Sequence, residues 1–200
     1  NQPDSTPPTM AITASQGVDG FTSNDSTLSL TFTSSEATSN FASSDITVSN
    51  GSISNFSASS STVYTATFTP SGQGACTIDV NAATFTDAAG NNNTAATQFN
   101  WTFDSLSPTM TITSTTSGVT DGSTTNDSTI SLTFTSSEST TNFASGDITV
   151  SNGSISSFSG SGTTYTATFT PSGQGACTID VAGGAFTDAA GNNNTAATQF

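Results

Sequence analysis

The sequence predicts an all-β protein built from two tandem domains, and three observations lead to this prediction. Apolar residues alternate with Ser and Thr at every second position, as they do in strands that bury one face. The second half of the chain repeats the first, so that Cys76 returns as Cys177 and Asp87 as Asp188, each 101 positions later. No stretch shows the 3.6-residue period of an amphipathic helix.

Each repeat contains about seven short strands. In the first repeat their apolar positions are Met10 and Ile12; Leu28, Leu30 and Phe32; Ile46 and Val48; Ile53 and Phe56; Tyr64, Ala66 and Phe68; Cys76, Ile78 and Val80; and Thr97, Phe99, Trp101 and Phe103. Turn sequences such as Asn50-Gly51 separate them. Seven strands in about 100 residues are typical of an immunoglobulin-like β-sandwich. We therefore predict two such sandwiches, residues 1–103 and 104–200.

The two repeats end differently. The first closes with Gln98-Phe99-Asn100-Trp101-Thr102-Phe103, whereas the second closes with Gln199-Phe200. We expect the last strand of the second repeat to be truncated in this chain, as in a fragment of a longer array. No apolar run approaches the 18 residues of a transmembrane helix, and no signal peptide is visible, so we expect no membrane insertion in this segment.

The composition excludes several classes of function. The 200 residues include no Lys, Arg or His but 14 acidic residues, which gives a net charge of −14. Nothing in the chain can neutralise a phosphate, so we expect no binding to nucleic acid or to anionic membranes. Nucleophile pairs that need His or Lys are absent. Paired carboxylates can cleave glycosides, but duplication of one active site in tandem small sandwiches argues against it. We expect no enzymatic activity.

Each repeat has one Cys, which lies in an alternating run and is expected to be a small buried apolar residue. A disulfide between Cys76 and Cys177 would require two cores to open. A reactive thiol needs a cationic neighbour, and the chain supplies none.

The carboxylates indicate a possible ligand site at one end of each sandwich. If consecutive strands run up and down, the segment before strand one, the end of strand two and the loop after strand six meet at the same end. This convergence predicts two groups of three carboxylates: Asp4, Glu36 and Asp87 in the first repeat, and Asp104, Glu138 and Asp188 in the second. Four outer candidates are Asn91, Asp45, Asn192 and Asp147.

A donor set of oxygen atoms without His or Cys suits Ca²⁺ rather than Zn²⁺. We therefore predict a calcium site at the entry to each domain that stiffens the connecting segment. In the alternative reading, Asp87 only organises an Asx-turn and Glu36 is a solvated loop residue.

Several motifs resemble the bacterial Ig-like repeats of large surface adhesins. These are Pro-Thr-Met-x-Ile-Thr, Leu-Thr-Phe-Thr-Ser-Ser-Glu, Asp-Ile-Thr-Val-Ser-Asn-Gly, Tyr-Thr-Ala-Thr-Phe-Thr-Pro and Phe-Thr-Asp-Ala-Ala-Gly-Asn. The resemblance covers both repeats nearly end to end. It implies an extracellular tandem array that carries a binding tip, often with calcium at the junctions. Such repeats usually contain some Lys or Arg and have Val at the Cys position, so this sequence departs from them in both respects.

The leading functional prediction is a structural spacer in a secreted or cell-surface adhesin or filament. Its expected partners are neighbouring Ig-like domains and, in a fibre, identical subunits. Strand pairing between subunits is a variant, although Pro3, Pro7 and Pro8 make the N-terminal segment a poor strand. The alternative is a ligand-binding module for carbohydrate or ice, in which exposed aromatic rings or rows of Thr would form the surface.

Overall fold

The computed structural model describes residues 2–200 and consists of strands, turns and two short 3₁₀ turns. The chain divides into two compact units, Asn1–Ser105 and Leu106–Phe200. Each unit is a β-sandwich with its own hydrophobic core. The all-β class and the immunoglobulin-like architecture predicted from the sequence are confirmed.

Among its described residues, the first unit has eight strands in two sheets. They are β1 (Met10–Ala14), β2 (Phe21–Ser23), β3 (Leu28–Ser34), β4 (Ile46–Ser49), β5 (Gly51–Ala58), β6 (Val63–Pro70), β7 (Gly74–Val80) and β8 (Phe99–Phe103). One sheet has the order β1-β3-β6-β5 and the other the order β2-β8-β7-β4. All pairs are antiparallel except β2 with β8, which is parallel.

The sequence pattern did not predict β2. Its three residues are too few to show an alternation, and only the pairing of Phe21 with Trp101 places them in the sheet. The last strand also begins later than expected, at Phe99 rather than Thr97. The other predicted strands of the first repeat are present at the expected positions.

The second unit contains five strands. They are β9 (Met110–Ser114), β10 (Ile130–Thr140), β11 (Ile148–Ser151), β12 (Gly153–Pro171) and β13 (Thr178–Val181). The strand orders among its described residues are β12-β10-β9 and β11-β13. The long β12 covers the positions of both β5 and β6.

The alternation in the sequence becomes burial in the structure. Along β3 the residues Leu28, Leu30 and Phe32 are buried, while Ser29 and Thr31 between them are more exposed. Burying one such side chain stabilises the fold by about 1.5–3 kcal/mol. Trp101 is 1% exposed and lies within the same core.

A tight turn joins β4 to β5. Asn50 has φ of 52°, a left-handed conformation that Asn tolerates better than most residues. A Cβ atom on the following Gly51 would lie 2.2 Å from Cζ of Phe68, so the core requires Gly at this position. The same constraint recurs at Gly153, opposite Phe169.

The two cysteines differ in exposure. Cys76 is completely buried, as predicted, whereas Cys177 is only partly buried. Both are free thiols. Burial raises the pKa of the Cys76 thiol, which keeps it protonated near neutral pH.

Candidate metal site

Strand pairing brings the entry segment of the first repeat beside the end of β3. Met10 at the start of β1 lies opposite Ser34 at the end of β3. One residue further out, the backbone N–H of Ser35 donates to the carbonyl oxygen of Thr9 over 2.9 Å, and the N–H of Thr9 donates to Oγ of Ser35 over 2.9 Å. These bonds extend the ladder, so that Glu36 follows at the end where the entry segment arrives.

The loop that follows β7 reaches the same end. The backbone N–H of Thr94 donates to the carbonyl oxygen of Pro8 over 3.0 Å, which ties this loop to the entry segment. The side-chain amide of Asn91 also donates to the backbone oxygen of Asp4 over 3.3 Å. Hydrogen bonds of the protein itself thus hold the entry segment against this loop.

Asp87 is held in position by its own loop. Its Oδ1 accepts the backbone N–H of Asn91 over 2.8 Å, and its Oδ2 accepts the Asn91 side-chain amide over 2.8 Å. The side chain is only 7% exposed. Hydrogen bonds from the Asn91 side chain lower the pKa of the Asp87 carboxyl below its usual value, with backbone donors in the same loop adding to the effect and desolvation opposing it. Asp87 is therefore an ionised carboxylate at neutral pH.

The structure brings the three predicted carboxylates of the first repeat together. Oxygen atoms of Asp4, Glu36 and Asp87 all lie within 4.8 Å of one another. Asp4 is exposed, Glu36 partly buried and Asp87 buried. Partial desolvation raises the pKa of the Glu36 carboxyl, and the negative charges of Asp4 and Asp87 raise it further. With no Lys, Arg or His in the sequence, no side chain of the protein offsets this repulsion.

The second repeat has the same set of groups. Oxygen atoms of Asp104, Glu138 and Asp188 lie within 4.8 Å of one another. Asn192 holds Asp188 as Asn91 holds Asp87, with its backbone N–H donating to Oδ1 over 2.9 Å and its side-chain amide to Oδ2 over 3.0 Å.

The donor set and its spacing fit Ca²⁺. Calcium is bound by oxygen ligands at about 2.3–2.6 Å, so two ligands of one ion can be up to about 5 Å apart. The three carboxylates of each group satisfy this limit. Zn²⁺ sites are usually built with His or Cys, and neither residue type belongs to these groups. Asp4, Glu36 and Asp87 would hold the ion in the first repeat, and Asp104, Glu138 and Asp188 in the second.

The outer candidates divide into two kinds. Asn91 and Asn192 lie against the clusters, as expected, because they donate to Asp87 and Asp188. Asp45 and Asp147 do not belong to the groups of three carboxylates. Each instead accepts a backbone N–H, from Ala42 and Ala144 respectively, over 2.8 Å. They stabilise the 3₁₀ turns at Ser43–Asp45 and Ser145–Asp147 rather than the cluster.

Sequence reasoning missed the residue that shapes the Asp87 loop. Asn93 is 3% exposed, and its Oδ1 accepts the backbone N–H groups of Thr84 and Phe85 over 2.8 and 3.0 Å. Its side-chain amide donates to the carbonyl oxygen of Asn81 over 2.9 Å. The available signal was the Asp-Ala-Ala-Gly-Asn-Asn-Asn run, which occurs unchanged in both repeats.

Comparison with known sequences decides the family. The profile of the bacterial Ig-like domain matches residues 4–103 and again residues 104–200. The chain belongs to this family. The resemblance inferred from the sequence motifs is therefore confirmed, in two tandem copies. No match was found among curated proteins.

Solved structures of bacterial proteins are among those to which this chain is similar. The bacterial integrin-binding protein invasin is 18% identical, with a TM-score of 0.45 over 86% of this chain and 36% of its own. The Escherichia coli adhesin FdeC is 13% identical, with a TM-score of 0.46 over 96% of this chain and 62% of its own. InvD of Yersinia pseudotuberculosis is 17% identical, with a TM-score of 0.37 over 96% of this chain and 56% of its own. This Ig-like chain thus spans less than two thirds of each.

In the described part of this Ig-like chain, residues 2–200, no helix is long and apolar enough to cross a membrane.

Proposed function

We propose that these two Ig-like repeats are a structural spacer in an extracellular or cell-surface adhesin or filament, and that Ca²⁺ rigidifies the segment entering each repeat. The observation that supports the spacer role is duplication: two nearly identical sandwiches each carry a separate core and the same end cluster. A binding tip would be expected to differ from its neighbours, whereas a spacer gains length from copies of one unit.

Electrostatics supports the calcium part of this proposal. Three carboxylates within 4.8 Å of one another repel each other, and the protein has no cation with which to offset the repulsion. A divalent cation converts this repulsion into attraction and links the exposed Asp4 to the buried Asp87. The chain's own hydrogen bonds already orient Asp87 and the entry segment, so less conformational freedom is lost on binding.

A calorimetric titration with Ca²⁺ tests this part of the proposal. The wild-type chain is expected to bind two ions and to melt at a higher temperature in Ca²⁺ than in chelator. At a free concentration 100 times the Kd, one bound ion stabilises the folded state by about 2.7 kcal/mol. Asp87→Asn and Asp188→Asn should each remove one site. Asp79→Asn is the matched control, because Asp79 accepts hydrogen bonds from Gln98 outside the cluster. Equal melting curves with and without Ca²⁺ would contradict the calcium proposal.

Electron microscopy of the native assembly tests the spacer role separately. We expect an axial repeat equal to the length of one or two domains. Isolated molecules that bind glycans would instead support the alternative of a carbohydrate-binding module. That alternative has little support from the surface: the exposed large apolar side chains found among residues 2–200 are Val18 and Leu106, and neither is aromatic.

Ice binding remains a second candidate because Thr residues align across the sheets. Thr31 pairs with Thr13 on one side and Thr65 on the other, and Thr133 pairs in the same way with Thr113 and Thr166. Such rows of hydroxyl and methyl groups would offer a regular surface to ice. Thermal hysteresis of the purified chain would support this function, and its absence at millimolar concentration would exclude it.

A further inference from the structure

The turn between β4 and β5 contains an Asn-Gly pair that recurs in the second repeat. Asn50-Gly51 and Asn152-Gly153 are the two such pairs in the sequence. Asn50 has φ of 52° and Asn152 has φ of 50°, in the left-handed region that Asn tolerates better than most residues. The ring of Phe68 leaves no room for a Cβ atom at position 51, so that position requires Gly. Two separate demands of the fold therefore place Gly directly after Asn.

An Asn that precedes Gly can react with its own backbone. The backbone nitrogen of Gly51 attacks Cγ of Asn50 and closes a succinimide ring. The bond from Cγ to Nδ2 breaks, and the proton from the Gly51 nitrogen leaves with Nδ2 as ammonia. Water then opens the ring at either of its carbonyl carbons, which gives Asp or isoaspartate. Gly favours the attack because it has no Cβ to crowd its nitrogen. The reaction needs no reagent other than water.

The folded protein holds the leaving group in place. Nδ2 of Asn50 donates to the carbonyl oxygen of Gly72 over 2.9 Å, and Nδ2 of Asn152 donates to the carbonyl oxygen of Gly173 over 3.2 Å. Both Asn side chains are partly buried. Because ammonia leaves with Nδ2, these hydrogen bonds must break before the reaction can finish. The rate in the folded state should therefore follow the fraction of molecules in which the turn is open.

The product does not fit the closed turn. Conversion of Asn50 to Asp replaces the donor Nδ2 with a carboxylate oxygen, which would face the carbonyl oxygen of Gly72. Two acceptors without a donor between them are unfavourable, and no Lys, Arg or His in the sequence can offset the new charge. Isoaspartate instead adds one carbon to the main chain beside Gly51, which lies directly against the ring of Phe68. Either product thus opposes closure of the turn.

We propose that Asn50 and Asn152 are sites of spontaneous deamidation, and that the modification holds the turn around each of them open. In the first repeat the same turn covers a thiol. Nδ2 of Asn50 donates to Sγ of Cys76 over 3.5 Å, and this thiol donates to the carbonyl oxygen of Asn50 over 3.6 Å. Deamidation therefore exposes Cys76, which is completely buried in the unmodified protein. This inference does not depend on the calcium proposal.

Peptide mapping by mass spectrometry after chymotrypsin digestion tests the modification. The full chain is incubated at mildly alkaline pH in buffer and, in parallel, in concentrated urea. Asn50 and Asn152 are expected to deamidate at least about tenfold faster in urea than in buffer, because urea opens the turns. Asn55 is the matched control, since it is exposed and also has φ of 52° but precedes Phe. In urea it should react at least about tenfold more slowly than Asn50.

Thiol labelling tests the consequence for the turn. Asn50→Asp carries one product of the reaction, and its Cys76 should be labelled at least about tenfold faster than in the wild type. Asn55→Asp adds the same charge outside the turn and should leave the Cys76 rate unchanged. Labelling of the incubated wild-type chain gives the same readout without a substitution, because molecules deamidated at Asn50 should carry most of the label on Cys76.

Three results would overturn the inference. The first is an Asn50 that reacts as slowly as Asn55 in urea, and the second is an Asn50 that reacts equally fast in buffer and in urea. The third is equal labelling of Cys76 in deamidated and unmodified molecules of the wild-type chain.

Discussion

Asn91 donates two hydrogen bonds to the Asp87 carboxylate, one from its backbone and one from its side chain, both 2.8 Å long. Its side-chain amide also donates to the backbone oxygen of Asp4. One residue thus fixes the buried carboxylate and contacts the exposed entry segment. Asn192 donates the same two hydrogen bonds to Asp188, so this arrangement of Asn and Asp occurs in both domains.

Replacing Asn91 with Ala is expected to weaken calcium binding at the first repeat. The loss of a hydrogen bond that orients a metal ligand typically reduces affinity about 10- to 100-fold. The pKa of Asp87 should also rise toward its usual value, since the Asn91 side chain is the main cause of its depression. Calorimetric titration measures the affinity, and carboxyl chemical shifts measure the pKa. Asn92→Ala is the matched control because the Asn92 side chain is exposed. An unchanged affinity in Asn91→Ala would contradict the role of this contact.

Glu36→Gln is expected to have opposite effects with and without calcium. In chelator the substitution removes the charge repelled by Asp4 and Asp87, so the melting temperature should rise. In Ca²⁺ it removes a ligand, so affinity at the first repeat should fall at least about tenfold. Thermal melts of the variant and the wild type in chelator and in Ca²⁺ measure both effects. If the site is only a set of solvated acids, the substitution will shift both melts in the same direction.

The stability of the metal-free protein should depend on pH through the same residues. The folded pKa of Glu36 is raised above 4.5, so its contribution is fully present below that pH and is lost as pH rises through the folded pKa. The folded pKa of Asp87 is lowered below 3.8, so its contribution is present above that pH and is lost as pH falls through the folded pKa. Urea unfolding at a series of pH values measures both effects.

Two variants separate these contributions. In Glu36→Gln, the free energy of unfolding should fall less as the pH rises than it does in the wild type. In Asp87→Asn, the free energy of unfolding should fall less as the pH is lowered. If both variants show the same dependence of unfolding free energy on pH as the wild type, other carboxylates cause that dependence.

The two thiols should react at different rates in the folded protein. Cys76 is completely buried and has a raised pKa, whereas Cys177 is only partly buried. Since the thiolate is the reactive form and needs access to the reagent, Cys177 should be modified at least about tenfold faster. Mass spectrometry after brief labelling measures both rates, with the denatured chain as the reference. Equal rates would contradict this difference in exposure between the two thiols.

Removing one buried hydroxyl tests the packing of each core. The Tyr64 hydroxyl donates to the carbonyl oxygen of Thr38 over 2.9 Å, and Tyr165 donates to Thr140 over the same distance. Tyr64→Phe leaves that carbonyl without this donor and should lower the free energy of unfolding by about 1 kcal/mol. Tyr165→Phe should have a similar effect on the second repeat. Denaturant unfolding, followed separately for each repeat, measures both changes. An unchanged free energy of unfolding in either variant would contradict the role of that hydroxyl.

Much of the fold follows from local patterns in the sequence. Leu28, Leu30 and Phe32 alternate with polar residues, so a strand with one buried face was predictable. The short β2 was not, because Phe21–Ser23 join the sheet only through parallel pairing with Trp101–Phe103, about 80 positions later. No local pattern encodes such a contact.

The carboxylate clusters were predictable because strand direction fixes the end at which each loop emerges. Strand direction predicts that Asp4, Glu36 and Asp87 lie together, and their oxygens do lie within 4.8 Å of one another. Asp45 lies outside this group, and its side chain accepts a hydrogen bond from the backbone N–H of Ala42, only three residues away. Counting strands locates the backbone of a residue, but local hydrogen bonding decides where its side chain points.

The sequence by itself determined the all-β class, the duplication and the absence of any internal cation, because each is written in residue types and their period. Only the tertiary structure decided which carboxylates approach one another, that Asn91 contacts Asp4, and that Trp101 lies opposite Cys76. These features depend on contacts between residues far apart in the chain, and such contacts form only when the two sheets pack around a shared core.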